Sequence, residues 1–461
     1  MFTSINPATG ETVASHEELD ADGIETALAR AETAFAAWRN SPIEQRTALL
    51  RAIADAWEAD KQHLAETAVK EMGKTIAGAL AEVEKCILGF RHYAEHGPSY
   101  LEPTEVRTAS GGRAVARWLP MGPVLAVMPW NFPYWQVVRF LAPTIMAGNV
   151  ALLKHASSVQ GCAALMQQLA QAAGAPDGLF QNLAIKSDKV SDIIADRRVV
   201  AVTLTGSEGA GAKVAQAAGR ALKKVVLELG GSDPLIVMPS ADLDKAAKTA
   251  VTARIQNAGQ SCICAKRMIV HTQVYDAFLE RFEAGMKAVK IGDPMEKGTG
   301  MGPLSSVQQR DTVLEQVERA RAAGAELRFG AEKIEREGAW MTPGVLTGLD
   351  PEADVAKEEI FGPVAAVYRA KDIDEAIALA NDVPYGLGSS VWTNDDAEIE
   401  RFARDIQAGM TAVNSLLSST PEAPFGGIKL SGHGRELGPW GMHEFMNLKA
   451  VMYGAAVKTG D

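Results

Sequence analysis

Cysteine is scarce in this chain, with four residues among 461. They are Cys86, Cys162, Cys262 and Cys264. So few cysteines in so long a chain cannot build the disulfide framework that is typical of small secreted domains. We therefore expect a cytoplasmic protein, in which free thiols persist and thiolate chemistry is available.

Long apolar runs and basic blocks are also missing. No stretch of about 18 uncharged apolar residues offers a membrane span, and residues 1–7 lack the basic segment and apolar run of a signal peptide. The net charge is −11, without a Lys/Arg cluster, so we expect no nucleic-acid partner. We predict no metal site either.

The remaining composition is that of a globular protein, with 47% hydrophobic and 22% charged residues. Because 461 residues exceed one ordinary core, two domains with appendages are expected.

The order of apolar and amphipathic segments predicts an α/β fold. Residues 20–100 have the pattern of helices, and residues 123–229 alternate short apolar runs with helical ones. Continuous apolar strands separated by helices indicate a parallel sheet covered on both faces, whose ligands bind beyond the carboxyl ends of the strands. A second series of this kind begins at Pro234. The segments Gly111–Leu119 and Asn447–Tyr453 alternate weakly and are predicted to pair as a protruding strand element that invites a partner subunit.

Two segments carry a possible nucleophile and base. Cys262 follows the small residues of Gly259-Gln260-Ser261, and Glu228 lies at the end of an apolar strand. Desolvation there would raise the pKa of the carboxyl group and favour its service as a base. A thiol paired with a base suits covalent catalysis on a carbonyl group. The alternatives are a buried structural thiol and an ordinary strand-end carboxylate.

Three further sites are expected at strand ends. The Asn131 amide could donate to an oxyanion, or it could cap the following helix. Lys154 could meet a ribose or phosphate, or it could be solvated. Gly206 and Ser207 precede a helix whose N-terminus suits a pyrophosphate, although capping by Ser207 explains the pattern nearly as well.

Taken together, these segments resemble the NAD(P)-dependent aldehyde dehydrogenase superfamily over essentially the whole chain. Order and spacing agree at once in P-W-N-F-P at 129–133, Lys154, T-G-S at 205–207, L-E-L-G-G at 227–231, G-Q-x-C at 259–262, E-E-I-F-G-P at 358–363, P-F-G-G-x-K-x-S-G at 424–432 and G-R-E at 434–436.

The resemblance implies an architecture. It comprises a Rossmann-type cofactor domain formed by residues 1–105 and 120–230, a second α/β catalytic domain at 231–430, and a small β oligomerisation element at 106–119 and 431–461. Relatives of this type form dimers and tetramers by strand exchange near the C-terminus, so a homodimer or homotetramer is implied.

The resemblance also implies a mechanism. The Cys262 thiolate attacks an aldehyde, the Asn131 side chain and the Cys262 backbone N–H hold the oxyanion, hydride passes to the nicotinamide, and Glu228 activates water for thioester hydrolysis. Glu359 would hold the nicotinamide ribose and Phe361 would pack near the nicotinamide. The implied cofactor-binding residues are Trp130, Lys154, Ser157, Gly206, Ser207, Glu359 and Phe361.

Within the superfamily, the chain looks most similar to the short succinate-semialdehyde dehydrogenases. It shares their lack of an N-terminal extension, Lys154-His155-Ala156, and G-G-S-D-P at 230–234. The resemblance implies oxidation of succinate semialdehyde to succinate. Arg139, eight residues after Asn131, would clamp the substrate carboxylate, because a guanidinium binds a carboxylate bidentately.

The sequence leaves several other contacts to the substrate undecided. Ser261 and Ser419 could add hydroxyl donors to the substrate site. Arg139 could instead be paired with a nearby acid, and Arg254 is a second basic candidate.

Two positions depart from the wider pattern. Ser157 stands where most NAD-preferring relatives have a glutamate that would repel a 2′-phosphate, so we expect NADP to be preferred and NAD to be usable. Cys264 lies two residues past Cys262, where an extended segment would place both side chains on one face. A reversible disulfide between them is one hypothesis, and a small packing residue is the other.

Competing functions remain at the level of the sequence. The substrate could be glutarate semialdehyde or a range of small aldehydes. A cysteine hydrolase acting on esters or thioesters is a possibility of another class, as is a non-catalytic nucleotide-binding protein. The Lys154 and Gly206 sites and the presence of Cys262, Glu228 and Asn131 argue against these last two.

Overall fold

A computed structural model describes residues 1–109 and 112–454. The α-helices are α1 Ala21–Trp38, α2 Ile43–Ala59, α3 Lys61–Met72, α4 Ile76–Tyr100, α5 Trp135–Ala147, α6 Gln160–Ala172, α7 Val190–Ala195, α8 Glu208–Arg220, α9 Leu243–Ile255, α10 Tyr275–Lys287, α11 Val307–Ala322, α12 Ile373–Asn381, α13 Asp396–Asp405 and α14 Gly438–Glu444.

The strands form several sheets. They are β1 Phe2–Ile5, β2 Thr12–His16, β3 Thr104–Arg107, β4 Arg113–Pro120, β5 Pro123–Met128, β6 Val150–His155, β7 Phe180–Asn182, β8 Ala201–Thr205, β9 Lys224–Glu228, β10 Pro234–Val237, β11 Arg267–His271, β12 Glu326–Gly330, β13 Gly344–Thr347, β14 Val364–Ala370, β15 Tyr385–Gly386, β16 Gly388–Trp392, β17 Met410–Val413, β18 Ile428–Lys429, β19 Gly432–His433 and β20 Met446–Tyr453.

The first large sheet has the strand order β19-β9-β8-β5-β6-β7, and its strands from β9 to β7 are parallel. The chain runs outward from β5 to β7 and then returns to β8 on the other side of β5, so the strand order reverses between β5 and β8. A crevice at such a switch point is where open α/β sheets bind ligands. The carboxyl ends of these two strands lead directly to Asn131 and to Gly206.

The second large sheet has the order β12-β13-β14-β11-β10-β16-β17. Only its edge strand β12 is antiparallel to its neighbour in this sheet. Buried apolar residues on β10, β11 and β16 pack against helices on both faces, which explains why these strands have continuous rather than alternating apolar patterns. The predicted α/β fold with a second α/β unit is confirmed.

Strand β20 pairs antiparallel with β4, from Met446 opposite Pro120 to Tyr453 opposite Arg113, and β3 completes this three-stranded sheet. The predicted pairing of the two weakly alternating segments is therefore confirmed. Gly111 of the first segment lies outside the described residues. The domain limits drawn from the sequence stay a prediction.

Helices α4 and α5 position the site. The Thr75 hydroxyl accepts a hydrogen bond from the Gly78 N–H and so caps α4. One turn further on, the Glu82 carboxylate accepts from the backbone N–H groups of Tyr134 (2.8 Å) and Trp135 (2.9 Å) at the start of α5. A carboxylate suits a helix N-terminus because the helix dipole is positive there. No helix in the described part of the chain combines the length and apolarity needed to cross a bilayer.

Candidate active site

A cavity of about 370 Å³ lies between α4, α5, the Cys262 turn and the segment 416–419. Most of its exposed wall is apolar, with a few polar and charged side chains, which is the usual make-up of a small-molecule site. The residues of its wall on which the chemistry depends are Lys74, Glu82, Lys85, Trp135, Arg139, Ser261, Cys262 and Ser419.

The Cys262 turn follows a strained backbone. Asn257 (φ 55°) and Ala258 (φ 54°) both adopt left-handed conformations, which cost free energy for residues with a side chain. Gly259 (φ 75°) comes next, and a Cβ there would lie 2.3 Å from the Gly362 carbonyl. A glycine is therefore required at position 259.

Two buried cations hold the turn through its carbonyl groups. Lys266 Nζ donates to the carbonyl oxygens of Ser261 (2.8 Å) and Cys262 (2.6 Å), and Arg254 donates to that of Gly259 (2.7 Å). Arg254 is fully buried and does not belong to the cavity wall. These contacts fix the backbone on which the nucleophile is mounted.

Cys262 faces the cavity as a protonated thiol. Burial raises the pKa of this thiol to about 12, against the opposing effect of Arg139 and Lys266. Only the thiolate attacks a carbonyl efficiently, so the resting state is protected and the reacting state needs additional positive charge nearby.

Asn131 lies next to the same turn. Its Nδ2 donates to the Gln260 carbonyl (3.1 Å), and its Oδ1 accepts from Gln136 Nε2 (3.0 Å). The Asn257 side chain also donates to the Asn131 carbonyl (2.7 Å). The structure thus brings Asn131 to the nucleophile turn with its donor side oriented by Gln136. Its role toward an oxyanion stays a prediction.

Glu228 is 2% exposed, and its carboxyl oxygens have no hydrogen-bond partner among the described residues. Burial and then the neighbouring Glu436 raise its pKa well above the usual range. A Cβ at Gly426 would lie 2.6 Å from Glu228 Oε1, so the carboxyl group rests against bare backbone. A buried carboxyl group with a raised pKa is suited to act as a base.

Arg139 is paired with an acidic residue, which is the alternative to a substrate clamp that the sequence analysis left open. Its guanidinium forms an ion pair with the buried Glu436, donates to Thr205 Oγ1 (3.0 Å) and lies over the Phe425 ring. It also reaches the cavity wall. Its charge is therefore already matched by a carboxylate, and its function as a substrate clamp stays a prediction.

Cys264 does not lie in an extended segment, and the expectation that alternation places it on one face with Cys262 is wrong. The Cys264 N–H donates to the Ser261 carbonyl (3.2 Å), which closes a turn, because Lys266 and Arg254 gather the carbonyl groups there. Cys264 is buried, its Sγ contacts the Gln256 carbonyl (3.6 Å), and both thiols are free. The disulfide hypothesis stays a prediction.

Four of the predicted cofactor residues lie at or just after the carboxyl ends of β6 and β8, the two strands that flank β5 in the first sheet. Lys154 is buried at the end of β6, and Ser157 is exposed at the start of the following 3₁₀ turn. Ser207 caps α8 through Ala210 N–H (3.4 Å), and a Cβ at Gly209 would meet no atom within 4 Å. The capping explanation of Ser207 therefore holds, and it leaves the helix N-terminus open to an anion.

On the other side of the crevice, Glu359 forms an ion pair with Lys266 (3.0 Å). A Cβ at Gly230 would fill the space against Glu359 Oε2 at 2.6 Å. The Phe361 and Trp130 rings pack edge to face at 5.9 Å. A carboxylate for hydroxyl groups, an aromatic wall and an open helix N-terminus fit a nicotinamide dinucleotide.

Sequence reasoning did not identify Lys85, Lys266 or Gln136. Lys85 Nζ donates to Ser419 Oγ (2.8 Å) across 334 residues of sequence. A lone lysine on an amphipathic helix usually indicates a solvated face, so no local signal marked it. Ser261 and Ser419, which were predicted, both line the cavity.

Comparison with known proteins agrees with this geometry. The aldehyde dehydrogenase family model matches residues 1–451, and the chain belongs to that family.

Among curated proteins, it is 50% identical to succinate-semialdehyde dehydrogenase [NADP(+)] 1 of Mycobacterium tuberculosis (strain ATCC 25618 / H37Rv) over 98% of this chain and 99% of that protein. A crystal structure of succinic semialdehyde dehydrogenase from Streptococcus pyogenes in complex with NADP+ is 40% identical, with a TM-score of 0.96, over 98% of this chain and 99% of that one. Succinate-semialdehyde dehydrogenase from Burkholderia pseudomallei is 33% identical with the same TM-score, over 98% and 94%.

Proposed function

We propose that this protein oxidises succinate semialdehyde to succinate with NADP+ as the preferred acceptor and NAD+ as a usable one. The observation that carries the proposal is a cavity in which the Cys262 thiol and positively charged side chains face the same space. The names of the similar proteins support the same substrate and cofactor.

The chain's own residues divide the chemistry into two stages. In the first, Cys262 Sγ attacks the aldehyde carbon while Asn131 and the Cys262 N–H stabilise the oxyanion. Glu359 and the aromatic wall of Phe361 and Trp130 would hold the nicotinamide, which would supply the hydride acceptor, so that Cys262 would then carry a thioester. In the second stage, the Glu228 carboxylate takes a proton from water as the water adds to the thioester. The carbon–sulfur bond then breaks, succinate is released, and the proton passes from Glu228 to the departing Cys262 thiolate.

The cofactor site is proposed to comprise Lys154, Ser157, Gly206, Ser207 and Glu359, with Trp130 and Phe361 as its aromatic wall. A hydroxyl group at position 157 carries no charge that would repel a 2′-phosphate, and Lys154 lies at the end of the preceding strand.

The test of cofactor choice is Ser157→Glu. We expect the ratio of kcat/KM with NADP+ to that with NAD+ to fall at least about tenfold, since a carboxylate and a phosphate repel each other. Initial rates of absorbance at 340 nm measure both values. Ser158→Glu, at the neighbouring half-buried position, is the matched control, and an unchanged ratio in Ser157→Glu would contradict the assignment.

The reaction itself is tested by NADPH formation with a panel of aldehydes, using Cys262→Ser as the inactive control. Glutarate semialdehyde is one methylene longer, and a fitted pocket distinguishes one methylene by about 10- to 200-fold. A higher kcat/KM for glutarate semialdehyde than for succinate semialdehyde would make glutarate semialdehyde the better candidate for the substrate. If no aldehyde gave NADPH, a cysteine hydrolase would become the better proposal.

We also propose that the chain forms a homodimer or homotetramer in the cytoplasm. Strand β20 is an edge strand of its sheet, and it exposes Leu448 (53%) and Met452 (67%). An edge strand with exposed apolar side chains is suited to pairing with a second copy. The free cysteines support a reducing compartment.

A further inference from the structure

The cations of the cavity differ in whether a carboxylate neutralises them. Lys74 forms a buried ion pair with Glu82, and Arg139 forms one with Glu436. Lys85 has no carboxylate oxygen within 4.0 Å of its Nζ in the described part of the chain, and it lines the same cavity. With two charges matched inside the protein, the cavity keeps one uncompensated positive charge.

The surroundings of Lys85 orient that charge. Its Nζ lies 4.6 Å from the centre of the Trp135 ring and donates to Ser419 Oγ (2.8 Å), which also accepts from Trp135 Nε1 (2.9 Å). An ammonium has three donors, so two remain, and a serine oxygen that accepts twice still has its own proton to donate. Lys85 and Ser419 together therefore present donors for which residues 1–109 and 112–454 provide no acceptor.

We propose that Lys85 is the residue that determines specificity for a carboxylated aldehyde, holding the substrate carboxylate together with the Ser419 hydroxyl. The proposal rests on the proposed aldehyde oxidation and adds Lys85 to the predicted Arg139 as a cation of the cavity wall that would contact the carboxylate. A charged hydrogen bond to a half-buried ammonium stabilises the carboxylate more than a bond between neutral groups. Since the aldehyde end must reach Cys262 in the same cavity, this contact also sets the length of a good substrate.

The electrostatics of the free protein add a pH dependence. Burial, followed by the charge of Arg139, lowers the pKa of Lys85 to about 8. The ammonium is therefore mostly present at pH 7 and is lost as the pH rises through 8. Because kcat/KM reports groups of the free enzyme, its value for the carboxylated aldehyde should fall on the alkaline side near that pH.

The experiment compares succinate semialdehyde with butanal, which has the same four carbons and no carboxylate. In Lys85→Met, we expect the ratio of the two kcat/KM values to fall roughly 10- to 150-fold, mainly through KM, since a hydrogen bond to a charged group contributes about 1.5–3 kcal/mol. Lys85→Arg keeps the charge and should recover part of the ratio. Lys61→Met, at an exposed lysine near the start of the preceding helix, is the matched control and should change neither value.

Each outcome decides between the alternatives. An equal loss for both aldehydes in Lys85→Met, or an unchanged ratio, would overturn the carboxylate contact. If Lys85→Met yields little folded protein, Ser419→Ala provides the second measurement, with an expected two- to twelvefold fall in the same ratio. Wild-type protein that formed no NADPH with either aldehyde would overturn the proposed function instead, and wild type with equal values for both would overturn the carboxylate contact alone.

Discussion

At Cys262, desolvation outweighs the positive charges of Arg139 and Lys266, and the pKa of the thiol rises to about 12. At neutral pH, the nucleophile is thus mostly a thiol, which is its unreactive form. Burial and Glu436 also raise the pKa of the Glu228 carboxyl group well above its usual range. In both reacting groups, burial therefore opposes the charged form.

The rate of alkylation of Cys262 at different pH values tests the raised pKa of its thiol. At pH 8, a pKa of about 12 leaves roughly one thiolate in ten thousand thiols. We expect the rate of iodoacetamide inactivation without cofactor to rise about tenfold per pH unit between about pH 7 and 9.5, with no plateau. Mass spectrometry of the modified peptide, with Cys262→Ser as the control for other thiols, identifies the site. A plateau below about pH 9 would contradict the raised pKa.

The sequence predicted those site residues that stand at the ends of strands and in local motifs, such as Asn131 after β5 and Glu228 at the end of β9. Their positions follow from the chain itself, because a strand end in a parallel sheet has a known place. Lys85 could not be found in this way, since its partner Ser419 is 334 residues away. The role proposed for Lys85 also depends on the other cations of the cavity already having carboxylate partners, which only the structure shows.

At the scale of elements, Glu82 joins two helices. It forms the buried ion pair with Lys74 from its place on α4, and it caps α5 through two backbone N–H groups. A single carboxylate therefore fixes both the mouth of the cavity and the helix that carries Trp135 and Arg139.

Glu82→Ala should destabilise the protein by about 3–5 kcal/mol, because it leaves a buried ammonium and a helix N-terminus without their acceptor. Differential scanning fluorimetry measures the lowered thermal midpoint. Glu58→Ala removes the carboxylate of the exposed Lys61–Glu58 pair and should change the midpoint little. Equal midpoints for the two variants would show that the Glu82 network contributes no net stability.

The helices and strands themselves were largely predictable, because continuous apolar runs and amphipathic periods are properties of short segments. The turn of residues 261–264 was not. Lys266 binds the carbonyl groups of Ser261 and Cys262, and Arg254 binds that of Gly259 just before the turn. Neither contact can be inferred from alternation along the chain. The expectation about Cys264 failed for this reason.

At the scale of the whole molecule, the exposed face of β20 leads to a test of assembly. The double variant Leu448→Asp/Met452→Asp introduces charge on that strand, and we expect a smaller particle in size-exclusion chromatography with light scattering. Leu222→Asp, at a leucine that is 95% exposed and outside the strands, is the control and should keep the mass. A wild-type monomer would contradict the proposed homo-oligomer.

Helix α4 has a further consequence through its length. It measures about 37 Å from its 25 residues, carries Lys85, and holds the chain before β20 by two contacts. Tyr93 Oη donates to the Gly438 carbonyl (3.1 Å), and His443 Nε2 lies 2.7 Å from the Tyr100 carbonyl. One helix therefore connects the cavity to the segment that precedes the edge strand, so we expect a displacement of that segment to change the position of Lys85.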